Sequence, residues 1–309
     1  MQHERRWWAV MAMGLSIFLV AVDTTIVALA LPALAQHFHL SNSTASAVIL
    51  SYAIPLTLLI VPVGIVINRF RPLTAFLVSV AGFGMGSVLC GLAQVFWMVL
   101  LGRLIQGMFG AVIATQGFAV AAAVVLPSER GRAMGVIAAL APLGAVIGPG
   151  VGGLIVSQWG WPTIFFVNIP FCLLAALLAL FSLRGVALGE RGAGNGLRQM
   201  GGLLSRPPFA WALLSLLCTA TIDGALYYLL PFDLSLVQHF VSSTAGAVLL
   251  CMPLGMAAMG PVGGGLSDRY GVKVFRLGGL TLLLLGLIAL ALAVGHPTST
   301  WPGVYCWPE

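Results

Sequence analysis

Charge is what this chain has least of. Of its 309 residues only 8 are Asp or Glu and 14 are Lys or Arg, 7% in all, while 60% are hydrophobic. Soluble domains carry about 25% charged residues, so the composition excludes a water-soluble globular protein. With a mean hydropathy of +1.06, the chain is a polytopic membrane protein whose solvent is mostly lipid. Catalytic constellations are also missing. The sequence has no Gly-x4-Gly-Lys-Ser/Thr phosphate loop, no Ser/His/Asp set and no paired carboxylates, which argues against ATP hydrolysis by the chain itself and against an enzyme. Metal ligands are equally sparse. His37 and His39 form a His-x-His with no other His, Asp or Glu close in sequence, so no metal site is assigned. Cys90, Cys172, Cys218 and Cys251 fall singly in apolar runs and read as small buried hydrophobes.

Long apolar runs are what the chain has in abundance. They lie near 7–31, 46–67, 73–95, 97–122, 133–156, 162–183, 209–231, 243–266 and 276–295. At about 20 residues per crossing these make about nine spans. Arg5 and Arg6 before the first run resemble a signal peptide, but the run is too long for one. With the N-terminus placed inside, every basic residue except Arg103 falls in that segment or in a loop expected to be cytoplasmic. This positive-inside pattern fixes the orientation and accounts for the net charge of +6 without nucleic acid. Trp97, Trp159 and Trp161 fall at expected outer edges, and Trp7, Trp8 and Trp211 at inner ones, as interfacial aromatics do.

The longest polar interruption is rich in Gly and Arg and ends in Pro207-Pro208, as a flexible linker does. The expected organisation is a six-span N-terminal bundle over 1–183, a cytoplasmic linker over 184–208, a partial C-terminal bundle of about three spans over 209–295, and a non-spanning tail over 296–309. A repeat supports the division. Gly64-Ile65-Val66-Ile67-Asn68-Arg69-Phe70-Arg71 aligns with Gly264-Gly265-Leu266-Ser267-Asp268-Arg269-Tyr270-Gly271, each after the second span of its half, as in transporters built by duplication.

Three charges interrupt the apolar runs: Asp23, Arg103 and Asp223. An ionised group at the bilayer centre costs about 2.5 to 3.5 kcal/mol even on insertion scales, which makes each a candidate functional residue. Asp23 lies roughly 12 Å below the outer end of the first span and Arg103 roughly 9 Å below that of the fourth. An ion pair is within reach, either as working machinery or as a tie between two spans. Gln106, Gln116, Asn168 and Asp223 are candidates for polar contacts in a substrate cavity. For the three amides, interhelical hydrogen bonds are the alternative. A small-residue stretch runs from Ala141 to Gly153, with Gly144, Gly148 and Gly152 every four residues and Pro149 and Gly153 beside them. Such a face lets another helix backbone approach closely, and Pro149 is expected to bend the segment.

Several of these patterns resemble the major facilitator superfamily. The 141–153 stretch is similar to the antiporter motif in the fifth span of its exporters, where it implies a seal and a hinge for alternating access. The two loops at 64–71 and 264–271 resemble the signature loop Gly-x3-Asp-Arg-x-Gly, which implies a cytoplasmic gate involving Gly64, Asn68, Arg69, Asp268, Arg269 and Gly271. The first copy departs from the pattern, with Asn68 for the acid and Arg71 for the glycine, so it carries no negative charge. Asp23-Thr24-Thr25-Ile26-Val27, Arg103-Leu104-Ile105-Gln106-Gly107 with Gly110, and Phe165-Phe166-Val167-Asn168-Ile169-Pro170 resemble the fourteen-span drug:proton antiporter branch. That resemblance implies an all-α major facilitator fold in the cytoplasmic membrane, with the N-terminus inside. It also implies export of small amphipathic molecules driven by a proton gradient, with Asp23 as proton carrier, Arg103 tuning it, and no cofactor. Its expected partners are a small-molecule substrate, protons and membrane lipid. The alternatives are a truncated, transport-incompetent remnant, since about nine spans are fewer than twelve, and a solute:proton symporter.

Overall fold

The computed structural model describes residues 2–184, 206–222 except 208, 212–213, 216–217 and 220, and 242–294. Among these it is helical with no strand, because helices satisfy their own backbone groups in lipid. The first bundle contains α1 (Gln2–His37), the short α2 (Asn42–Ala45), α3 (Ala47–Val66), α4 (Pro72–Gly91), α5 (Phe96–Val124), α6 (Arg130–Trp159), the short α7 (Thr163–Phe166) and α8 (Asn168–Ser182). A 3-10 turn, Ile67–Arg69, follows α3. Two further helices are α9 (Ser242–Tyr270) and α10 (Val272–Val294).

Local signals set the boundaries. Pro72 opens α4, where a missing N–H costs nothing. Gly160, at φ 81°, ends α6 and returns its N–H to the Val156 carbonyl, the left-handed exit that favours glycine. Gly271, at φ 88°, separates α9 from α10 in the same way.

Six helices among the described residues are long and apolar enough to cross a membrane, matching the first six expected runs. Thus the chain is an all-α polytopic protein with a six-helix N-terminal bundle. Helices α9 and α10 coincide with the last two expected runs. Most of the run 209–231 and of the linker 184–208, and the tail 296–309, lie outside the described residues. The chain divides into two compact units, Met1–Ala193 with Pro253–Arg269, and Gly194–Met252 with Tyr270–Glu309.

Within the first unit, α1 packs along α6, α8 and α5, and α5 also packs against α3 and α4. Two apolar cores result. One gathers Val10, Met13, Phe76, Phe83, Ile113 and Ile137. The other gathers Ile26, Leu34, Val48, Val99, Ile164 and Phe165. Trp161 departs from its expected place at an interface: it is buried and stacks among His37, Phe38 and Phe165, closing the end of α1 against α7. Along α1 the first core ends near Leu19 and the second begins near Ile26. Asp23 lies between them.

Candidate functional site

At that level the bundle holds a buried polar layer. Asp23 on α1, Ser87 on α4, Arg103 and Gln106 on α5 and Asn168 on α8 are each no more than 1% exposed. The Asp23 carboxylate accepts from three side chains. Its Oδ2 takes the Arg103 Nη1 donor. Its Oδ1 takes Asn168 Nδ2 at 2.7 Å and Gln106 Nε2 at 3.3 Å. Arg103 also donates to Gln106 Oε1 at 2.9 Å and to the Val48 carbonyl at 3.4 Å, and its guanidinium lies 4.1 Å above the Tyr52 ring. An isolated charge buried so deeply would cost several kcal/mol, and a paired and hydrogen-bonded one far less. The arrangement is therefore an ion pair in which both members are solvated by protein in place of water.

Backbone proximity makes the pair reachable. Arg103 and Gln106 are three residues apart and share one face of α5. Around them glycines remove bulk. A Cβ on Gly102 would strike Cys90 and the Gly86 carbonyl, and one on Gly107 would strike the Tyr52 carbonyl. Hence α3 and α4 close tightly onto α5 and bury the pair. Asn168 is the first residue of α8, placed there by the break between α7 and α8.

The other expected site residues are distributed elsewhere. Gln116 lies 13 positions beyond Arg103, roughly 20 Å along α5, where Nε2 donates to the Pro72 carbonyl and ties α5 to the start of α4. Asp223 lies outside the described residues. Gly144, Gly148 and Gly152 lie against α1, Gly144 against its backbone and Gly152 against a side chain only. Added Cβ atoms would meet the Phe18 carbonyl, the Thr25 side chain and the Ile26 side chain of α1, whereas Gly153 meets nothing within 4 Å. Pro149 falls inside α6, which runs unbroken from Arg130 to Trp159. Gly64, near the end of α3, has only the Thr115 methyl within reach, at 3.5 Å from an added Cβ. Asn68 and Arg69 form the 3-10 turn, and Arg69 is exposed.

The second loop copy makes a definite contact. Asp268 Oδ1 accepts the Gly131 N–H at 2.8 Å and Oδ2 the Arg132 N–H at 2.9 Å, so one carboxylate caps the first turn of α6. The residue preceding that helix, Glu129, makes no side-chain capping bond to it. Gly131 lies against the Gly264 carbonyl and Gly135 against that of Gly260, and added Cβ atoms would collide at all four positions. Arg269 lies in the last turn of α9, and Gly271 supplies the positive φ that follows.

The sequence profile of the Major Facilitator Superfamily matches residues 13–307. This chain belongs to that superfamily. Superfamily members are transporters rather than enzymes. The multidrug resistance protein Stp of Mycobacterium tuberculosis is 27% identical over 90% of this chain and 62% of its own length. A tetracenomycin C resistance and export protein of Streptomyces glaucescens is 32% identical over 60% of this chain and 35% of its own. A puromycin resistance protein of Streptomyces alboniger is 34% identical over 56% and 35%. The chain thus spans less than two thirds of the length of these relatives.

Two members of this superfamily chain's polar layer were not singled out from sequence: Ser87 and Tyr52. Ser87 accepts from Gln106 Nε2 at 2.7 Å and Asn168 Nδ2 at 3.1 Å and donates to the Phe83 carbonyl at 3.1 Å. The available signal was weak: one hydroxyl in the small-residue stretch Gly82–Gly91, and one tyrosine in the middle of an apolar run.

Proposed function

We propose that this chain is a proton-coupled antiporter that exports small amphipathic molecules across the cytoplasmic membrane, with its N-terminus inside and lipid around its bundle. The observation that carries the proposal is the Asp23–Arg103 pair, buried among amides where purely structural packing would favour apolar side chains. When the site opens to the outside, water reaches Asp23 and a proton neutralises it, weakening the hold of Arg103. When the site opens to the inside, the proton leaves and the pair re-forms. The glycine face at 144–152 against α1 supplies a close, smooth surface for that exchange, and the Asp268 cap on α6 holds the cytoplasmic side closed. Resistance and export names among the relatives support drugs as cargo. Gln106, Asn168 and Asp223 stand as the polar contacts available to such a molecule.

The test is proton-driven movement of a lipophilic cationic dye in inverted membrane vesicles. The proposal expects uptake in the parent chain that is lost in Asp23→Asn at equal membrane insertion. Equal uptake in both, or none in the parent, overturns it.

A further inference from the structure

Asn168 is a candidate cargo contact, yet its donor is turned to the proton site. We infer that Asn168 is a positioning residue for Asp23, holding the carboxylate in its ionised form and linking α8 to the protonation step; this rests on Asp23 as the proton carrier.

The observation that leads there is where its donor goes. Asn168 Nδ2 makes two bonds, to Asp23 Oδ1 at 2.7 Å and Ser87 Oγ at 3.1 Å, while its buried Oδ1 has no hydrogen-bond partner among the described residues. An idle acceptor alone does not set Asn168 apart, since Gln116 Oε1 is likewise unpartnered among the described residues. What differs is what each donor meets: the Pro72 carbonyl for Gln116 and the Asp23 carboxylate for Asn168. The ionised carboxylate dictates that orientation, because the reversed amide would set oxygen against oxygen.

Ser87 fixes the amide further. Its hydroxyl donates backwards to Phe83 and receives from both amides, so Asn168 and Gln106 are aimed together at one carboxylate oxygen. Gln106 already accepts from Arg103 and sits farther from Asp23, at 3.3 Å. Asn168 therefore makes the shorter of the two amide bonds. It is also the only residue of α8 that donates to the ion pair. The other buried residues of that helix are Cys172, Ala175, Ala179 and Ser182.

Among the described residues, the titratable and charged groups around Asp23 are few. They are Arg103 on α5, Tyr52 on α3, Cys90 on α4 and Cys172 on α8. Helix α6 carries only Arg130 and Arg132, in its first turn, and α2 and α7 carry none. Hydrogen bonds to a carboxylate favour its charged form. Removing the Asn168 donor thus lets Asp23 take its proton at higher pH, and a charged-group hydrogen bond of ordinary strength makes that about a tenfold gain in proton affinity.

The test is an infrared titration of the full chain in lipid vesicles, following the carboxyl band that Asp23→Asn removes. Asn168→Leu and Asn168→Ala are expected to raise its midpoint by about one pH unit. Gln116→Leu, which removes a buried amide far from the pair, is expected to leave the midpoint in place. A parental midpoint in both Asn168 variants, or an equal shift in Gln116→Leu, overturns the inference. No band sensitive to Asp23→Asn overturns it together with the proton-carrier reading. A shifted midpoint in a chain that moves no dye supports the role of Asn168 while sinking export.

Discussion

Asp23 and Asp268 are the same residue in opposite surroundings. Asp23 is sealed between two apolar cores and satisfied by side chains alone: a guanidinium and two amides. Asp268 is exposed and satisfied by two backbone N–H groups at a helix start. The first is held by an ion whose loss leaves a charge stranded in low dielectric. The second is held by a helix end, whose field water and salt screen. A proton arriving at Asp23 changes the balance of a whole buried layer, whereas one arriving at Asp268 loosens one cap. Depth, more than residue type, sets how much of the structure depends on either charge.

That contrast is breakable in steps. The largest effect is expected from Arg103→Met, which strands the Asp23 carboxylate and costs about 3 to 5 kcal/mol. Its melting temperature, read from the reactivity of the buried Cys90 and Cys172, should fall well below that of the double variant with Asp23→Asn. Equal melting would mean that the charges are not coupled. Next comes the helix contact beside Asp268. Gly135→Leu forces a side chain into the Gly260 backbone and should cost about 1 to 3 kcal/mol, while Gly153→Leu, facing open space, should be near neutral in the same melt.

Ser87→Ala removes the hydroxyl that orients both amides and should cost about 1 kcal/mol. Protection of Cys90 from a thiol reagent in native vesicles is the readout, and unchanged protection would argue that the amides need no orientation. The smallest effect is expected at the exposed acid. Asp268→Asn keeps an acceptor for α6 but loses the charge at its N-terminus, about 0.5 kcal/mol at low salt, and the difference should vanish as ionic strength rises. A salt-independent loss would place Asp268 in a drier setting than its exposure indicates.

Much of the fold was legible because membrane spans announce themselves by length and hydropathy: the first six expected runs match α1, α3, α4, α5, α6 and α8 with its preceding turn. The Asp23–Arg103 pair was legible because charges in apolar runs are expensive and the two lay within reach of one another. Side-chain partners were harder to read. Gln106, Gln116 and Asn168 look alike in sequence, yet only Gln106 and Asn168 reach Asp23, because helix rotation and the break before α8 decide which way an amide points. Trp161 sits at a span edge, as interfacial tryptophans do, but aromatic neighbours on two other segments bury it. Asp268 was recognisable from its loop pattern. Its partners, the Gly131 and Arg132 N–H groups, were not, since backbone donors leave no mark in a sequence.

The proposed event is proton exchange at Asp23 as cargo moves. It is tested most directly by adding a lipophilic cationic dye to the purified chain in weakly buffered solution with a pH indicator. Proton release on dye binding is expected from the parent and none from Asp23→Asn, with dye affinity still measurable in the variant. Equal release from both proteins would contradict it.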